Sequence, residues 1–165
     1  MFKIGDHVVH PRCGVGQIVK LSVEQFVQGE KRPFYEVSFS DGTVWIPLGK
    51  TKLGIRELSK KSEIERCRRI LMAPAVQLNA DIKLREKELI THLKTGTLEA
   101  RCEVVRDLSA FSWHKPLSGS ISAILKVNQS VLCQEWAAVE GVTPDDADVE
   151  IESLLEKGRQ VNDNE

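Results

Sequence analysis

Along the first third of the chain, apolar and polar positions alternate with a period of two, the pattern of half-buried strands. Val8-Val9, Gly16-Gln17-Ile18-Val19-Lys20-Leu21, Pro33-Phe34-Tyr35-Glu36-Val37-Ser38-Phe39 and Thr43-Val44-Trp45-Ile46-Pro47 are short runs rich in β-branched and aromatic residues. Gly14, Gly29 and Asp41-Gly42 separate them. In the third run Phe34, Glu36 and Ser38 share one side and Tyr35, Val37 and Phe39 the other, which predicts one wet and one buried face. Ser40-Asp41-Gly42-Thr43 reads as a hairpin turn, since Asp-Gly readily takes the positive φ of a type I′ loop. Four or five strands within residues 1–56 predict a small, strongly bent antiparallel barrel of the SH3 or Tudor kind.

From Ser59 onward the period becomes helical. Ser62-Glu63-Ile64-Glu65 has the form of a capping box, followed by a mostly apolar face of Ile64, Cys67, Arg68, Ile70 and Leu71. Ala73-Pro74 ends that helix. A second helix starts near Asn79 or Asp81, carries Ile82, Leu89, Ile90 and Leu93 inward, and stops at Lys94-Thr95-Gly96-Thr97. A third follows Thr97 with Leu98, Cys102, Val105 and Leu108 inward. Leu117-Ser118-Gly119-Ser120 opens a fourth, and Pro144-Asp145-Asp146 caps a last one through Leu154-Leu155. The fold class is therefore α+β. A β-domain over 1–56 precedes an all-helical domain over 57–160, and residues 161–165 read as a disordered tail.

Composition changes this picture little, but charge does. The 165 residues carry a net charge of −1, unevenly spread. Residues 1–110 hold 19 Lys/Arg against 14 Asp/Glu, and residues 111–165 hold 4 against 10. Such a basic excess is too slight to announce nucleic-acid binding by itself. No apolar run reaches the ~18–20 residues of a membrane span, and Met1-Phe2-Lys3-Ile4-Gly5-Asp6 lacks a secretion signal, so a cytoplasmic location is expected. Cys13, Cys67, Cys102 and Cys133 form no CxxC pair and read as reduced structural thiols. His7-x-x-His10-x-x-Cys13 has metal-ligand spacing, but residues three apart on a strand diverge, so no metal is expected. His92 and His114 are isolated. No nucleophile and base can be assembled, so neither an enzyme nor a cofactor is expected. Without coiled-coil heptads the chain is expected to be a monomer.

The order of motifs resembles the CarD/CdnL family of bacterial transcription regulators. Met1 through Asp6, Val8-Val9, His10-Pro11 and Gly14-Val15-Gly16 form an opening shared with the polymerase-interacting domain of transcription-repair coupling factors. Gly29-Glu30, Phe34-Tyr35, Ile46-Pro47 and Gly54-Ile55-Arg56 continue it. Ile70-Leu71-Met72-Ala73-Pro74, Leu93-Lys94-Thr95-Gly96, Glu103-Val104-Val105-Arg106-Asp107-Leu108 and Leu117-Ser118 extend it to about residue 140. No phosphate-cradling GxxxxGK[ST] loop of a helicase motor is present.

The resemblance implies that the β-domain docks on the β subunit of RNA polymerase, partly by strand addition. The helical domain then lies on promoter DNA, contacts phosphates and wedges a tryptophan against the minor groove, stabilising the open complex. Carried over residue by residue, the polymerase contacts fall on Gln25, Val27 and Trp45, where two family arginines are replaced. The wedge position is Ile82, with Lys83, Arg85 and Lys87 as basic neighbours; Trp113 reads as an ordinary core or capping aromatic, or as a substitute wedge if the fold brings it to the same surface. Gly119 through Ser130 offers only Lys126 where the family is rich in Lys and Arg. The alternative reading is a protein-interaction adaptor, polymerase-binding or otherwise, that has lost direct DNA contact.

Overall fold

The computed structural model describes residues 1–25, 31–48 and 54–164, and its chain divides into two units, Met1–Leu58 and Ser59–Glu165. The first is an antiparallel five-stranded sheet of β1 (His7–His10), β2 (Gly14–Gln25), β3 (Lys31–Phe39), β4 (Gly42–Pro47) and β5 (Arg56–Glu57), in the order β4-β3-β2-β1-β5. The arrangement is consistent with a Tudor-like domain. Val8, Ile18, Tyr35, Val37, Phe39 and Ile46 form its core. Gly16 is required by close approach, because a Cβ there would lie 2.6 Å from the Phe39 ring. The strand alternation fails at one position: Phe34 is only 3% exposed on the face expected to be wet, directly across from Ser22, which is also buried. The hairpin loop is Ser40–Asp41 rather than Asp41-Gly42, since Gly42 already pairs with Phe39.

His10 belongs to this scaffold. Its Nδ1 accepts hydrogen bonds from the backbone N–H groups of Arg12 (3.2 Å) and Cys13 (3.1 Å), shaping the β1–β2 turn. The imidazole also packs edge-on against Phe39. Burial, with the Arg12 guanidinium adding, holds its pKa below the ordinary value.

The second unit contains α1 (Lys61–Met72), α2 (Ile82–Leu93), α3 (Leu98–Ser112), α4 (Gly119–Glu140) and α5 (Pro144–Asp163). Ile64, Cys67 and Leu71 of α1 pack with Cys102 and Val105 of α3, Leu132 and Trp136 of α4, and Ile151 and Leu155 of α5. Trp136 is fully buried and donates its indole N–H to Glu150 at 3.0 Å. Arg68 binds the other oxygen of Glu150 at 2.7 Å and lies over the Trp136 ring, 5.3 Å from its centroid. One arginine thus ties α1 to α4 and α5. Its contact with Glu150 holds that carboxyl below the usual range and raises the guanidinium. Leu89 joins a second cluster with Val104, Leu108 and Ile121.

Three helix boundaries and faces differ from the sequence expectation. α1 starts from Lys60 rather than Ser62, because Glu63 reaches back to accept from the Lys60 N–H at 2.7 Å. The preceding Ser59 is held by fully buried Glu135, which accepts from both its N–H and its hydroxyl. α5 continues to Asp163, into the segment expected as a disordered tail. Leu154, Leu155 and Gly158 keep its inner face buried, and Arg159 links Glu156 to Asp163 on its outside. On α2, Ile82 and Ile90 are 55% and 42% exposed, and the inward position between them is taken by Arg85.

Candidate functional site

Two surfaces concentrate the residues singled out above. On the sheet, β4 is an outermost strand, and no other strand among the described residues pairs with its outer side. Cross-strand register sets Trp45 beside Glu36 and Glu36 beside Lys20. The Trp45 indole N–H donates to Glu36 at 2.9 Å, and Lys20 approaches the other Glu36 oxygen at 4.0 Å. This row keeps the indole oriented while leaving it 52% exposed. A held, half-exposed tryptophan beside an unpaired strand edge suits protein recognition, because aromatic anchors dominate interface energetics and strand addition supplies backbone hydrogen bonds.

Sequence reasoning missed the outer part of β2. Leu21 and Val23 alternate onto one face, Leu21 directly across from Tyr35, and are 51% and 62% exposed. Gln25 closes that strand opposite Lys31. Val27 lies outside the described residues. The only forward sign was the apolar alternation along the strand.

On the helical unit, Asp81 caps α2 by accepting from the Leu84 N–H at 3.0 Å, and Ile82 stands exposed at the first position. At about 100° per residue, Lys83 and Lys87 fall on one outward stripe with Lys94, and Arg85 falls on the opposite side. All three lysines are exposed and make no ion pair among the described residues. The flanking acids are engaged elsewhere: Glu86 accepts from Ser120 and Glu88 from Asn79.

Arg85 is turned inward, only 9% exposed. Its Nε donates to the Asn79 carbonyl at 2.8 Å, and its guanidinium lies 4.4 Å from the Phe111 ring centroid. The connector between α1 and α2 is also held at its other end. Asp107 accepts from the Val76 N–H at 3.0 Å and from Arg106 Nε at 2.8 Å. Arg106 also donates to the Ile70 carbonyl. The Arg106-Asp107 pair of the sequence motif is therefore a clamp for this connector. Trp113 caps the C-terminal end of α3, half-buried against the main core, with Arg159 4.8 Å from its ring centroid. The structure does not bring it to the lysine stripe as an exposed aromatic.

Cys67, Cys102 and Cys133 are buried. Burial, with the Asp148 carboxylate adding, pushes the Cys133 thiol up to about 12, and burial with the Cys67 contact raises Cys102. Such thiols carry little thiolate and are poor nucleophiles. Among the described residues, no group of His, Cys, Asp and Glu is arranged to hold a metal ion, and no helix is long and apolar enough to cross a membrane.

Comparison with known proteins follows this division of the chain. Residues 2–59 match the family model described as CarD-like/TRCF RID domain, and residues 66–152 match that described as CarD, C-terminal domain. The chain is 30% identical over 146 residues to "Putative transcription factor YdeB" of Bacillus subtilis (strain 168). That alignment covers 87% of this chain and 95% of the relative.

Proposed function

The chain belongs to the CarD-like family of transcription factors, and from that premise we propose that its sheet unit binds the β subunit of RNA polymerase while its helical unit contacts promoter DNA. The observation that carries the polymerase part is the unpaired outer side of β4 bearing Trp45. A strand of the β subunit adds there through backbone hydrogen bonds, and Trp45 anchors it. Aromatic contact thereby takes the place of the two family arginines. The protein acts by binding alone, near DNA in the cytoplasm through its partner.

For the DNA part, Lys83 and Lys87 are read as phosphate contacts and Ile82 as the apolar contact at the groove. Arg85 is read as holding α2 in place. With few cations available, the DNA contribution is weak and adds to open-complex stability only within the polymerase complex. The adaptor reading draws on the inward Arg85 and on Lys126 as the single cation of Gly119 through Ser130. A reduced salt dependence of promoter binding by the polymerase complex on Lys83→Ala/Lys87→Ala supports DNA contact; an unchanged dependence favours the adaptor.

Hydrogen exchange of the full chain tests the strand-addition reading. Addition of polymerase slows exchange at the outward-facing amides of β4. Unchanged exchange there, in a sample where the complex has formed, contradicts it.

A further inference from the structure

Apolar burial does little to hold α2 on the helical unit. Of its 12 residues only Arg85 and Leu89 are buried, against 9 of 15 on α3. One leucine does not fix the place of a helix, because apolar burial is non-directional. A row on α3 supplies the missing constraint. Glu103, Asp107 and Phe111 stand four positions apart, which at about 100° per residue puts them on one inclined ridge. Glu103 lies 2.9 Å from His92 Nε2, in the last turn of α2. The Phe111 ring receives the Arg85 guanidinium, near the start of α2. The two helices therefore run antiparallel, with α2 held towards both ends. Between these points Asp107 holds the connector. Its Oδ1 accepts from both the Val76 N–H and Arg106 Nε. From Val76 the chain passes to Asn79 and Ala80, whose carbonyls accept from Arg85.

We propose that Glu103 and Asp107 are positioning residues for promoter contact. They act through α2: Glu103 fixes its C-terminal end, and Asp107 fixes the connector that leads into Ile82 and Lys83. Ile82, Lys83 and Lys87 are thereby presented in one place rather than over a range of tilts. The inference rests on the DNA contact proposed above. Its energetic basis is preorganisation, since a helix already held in its bound place loses less freedom on binding. The His92–Glu103 contact is partly exposed and contributes little to overall stability. Its effect falls on the place of α2 instead. What both tethers require is an accepting oxygen, which glutamine and asparagine also carry and alanine lacks.

The test measures promoter affinity of the polymerase complex with and without Lys83→Ala/Lys87→Ala on three backgrounds. These are the wild type, Glu103→Ala/Asp107→Ala and Glu103→Gln/Asp107→Asn. Both paired variants remove the same two negative charges, so their difference reports the tethers and not the charge. The affinity lost with the lysines is expected to be the same in the wild type and the amide pair. In the alanine pair it is expected to be at least about threefold smaller, because the lysines no longer sit at the phosphates. In the free full chain, hydrogen exchange at α2 is expected to be faster in the alanine pair than in the amide pair, with α4 and α5 unchanged. Circular dichroism verifies that each variant is folded. A full lysine loss in a folded alanine pair overturns this proposal alone, as does α2 exchange as slow as in the amide pair. A wild type that loses nothing with its lysines overturns the DNA reading, and this proposal with it. Where the alanine pair does not fold, Glu103→Ala against Glu103→Gln decides in the same way.

Discussion

Arg85 and Lys87 stand two positions apart on one helix and have different physical roles. The Arg85 guanidinium stacks on Phe111 and binds backbone carbonyls at the start of α2. Arg85→Ala removes donors from partly buried carbonyls and is expected to cost about 1–3 kcal/mol, read as a lower melting temperature. Lys87→Ala, on the exposed stripe, is expected to leave the melt unchanged and to reduce the salt slope of promoter binding by about 1. A stable Arg85→Ala protein with a reduced salt slope contradicts the assignment. Position 10 gives a pH prediction. His10 Nδ1 accepts two backbone hydrogen bonds and so must stay unprotonated, and burial lowers its pKa. As pH falls, the unfolded chain binds that proton before the folded one does. The stability contribution is therefore complete above about 6.5 and is lost as pH falls towards the folded value. Between about pH 8 and about pH 5 the melting temperature of the wild type is expected to drop more than that of His10→Asn, whose side chain can accept without titrating.

At the scale of elements, strand and helix types were legible because their apolar periods differ, two against 3.6. The caps at Asp81 and Thr97 follow local side-chain chemistry and sit where the helix starts were expected, whereas the last cap is Thr143, one residue before the expected Pro144-Asp145-Asp146. What failed depended on partners distant in sequence. Ser62 looked like a cap, but Glu135 and Glu63 anchor the chain earlier. Arg85 looked like a surface cation because nothing in α2 itself reveals Phe111. Trp45 was legible as a candidate surface aromatic, whereas its Glu36 partner depended on cross-strand register. The glycine of Gly14-Val15-Gly16 illustrates the same dependence, since its constraint comes from the Phe39 ring. Gly16→Ala is expected to cost about 1–3 kcal/mol through overpacking. A denaturant midpoint unchanged from wild type contradicts that account.

Over the whole chain, the resemblance, the two matched family models and the two units all divide the protein into a sheet part followed by a helical part. The charge imbalance seen in the sequence becomes specific in the structure: lysines gather on α2 and carboxylates on α5. Both groups lie on the helical unit, whereas the proposed recognition by the sheet unit is by backbone and aromatic contact. That separation lets polymerase binding be measured without DNA. The direct measurement is isothermal titration of the full chain with the isolated lobe of the polymerase β subunit. One-to-one binding at micromolar or tighter affinity is predicted, weakened by about 2 kcal/mol or more in a Trp45→Ala variant that melts like the wild type. Absence of binding at micromolar concentrations, or full affinity in folded Trp45→Ala, contradicts the proposed docking through β4.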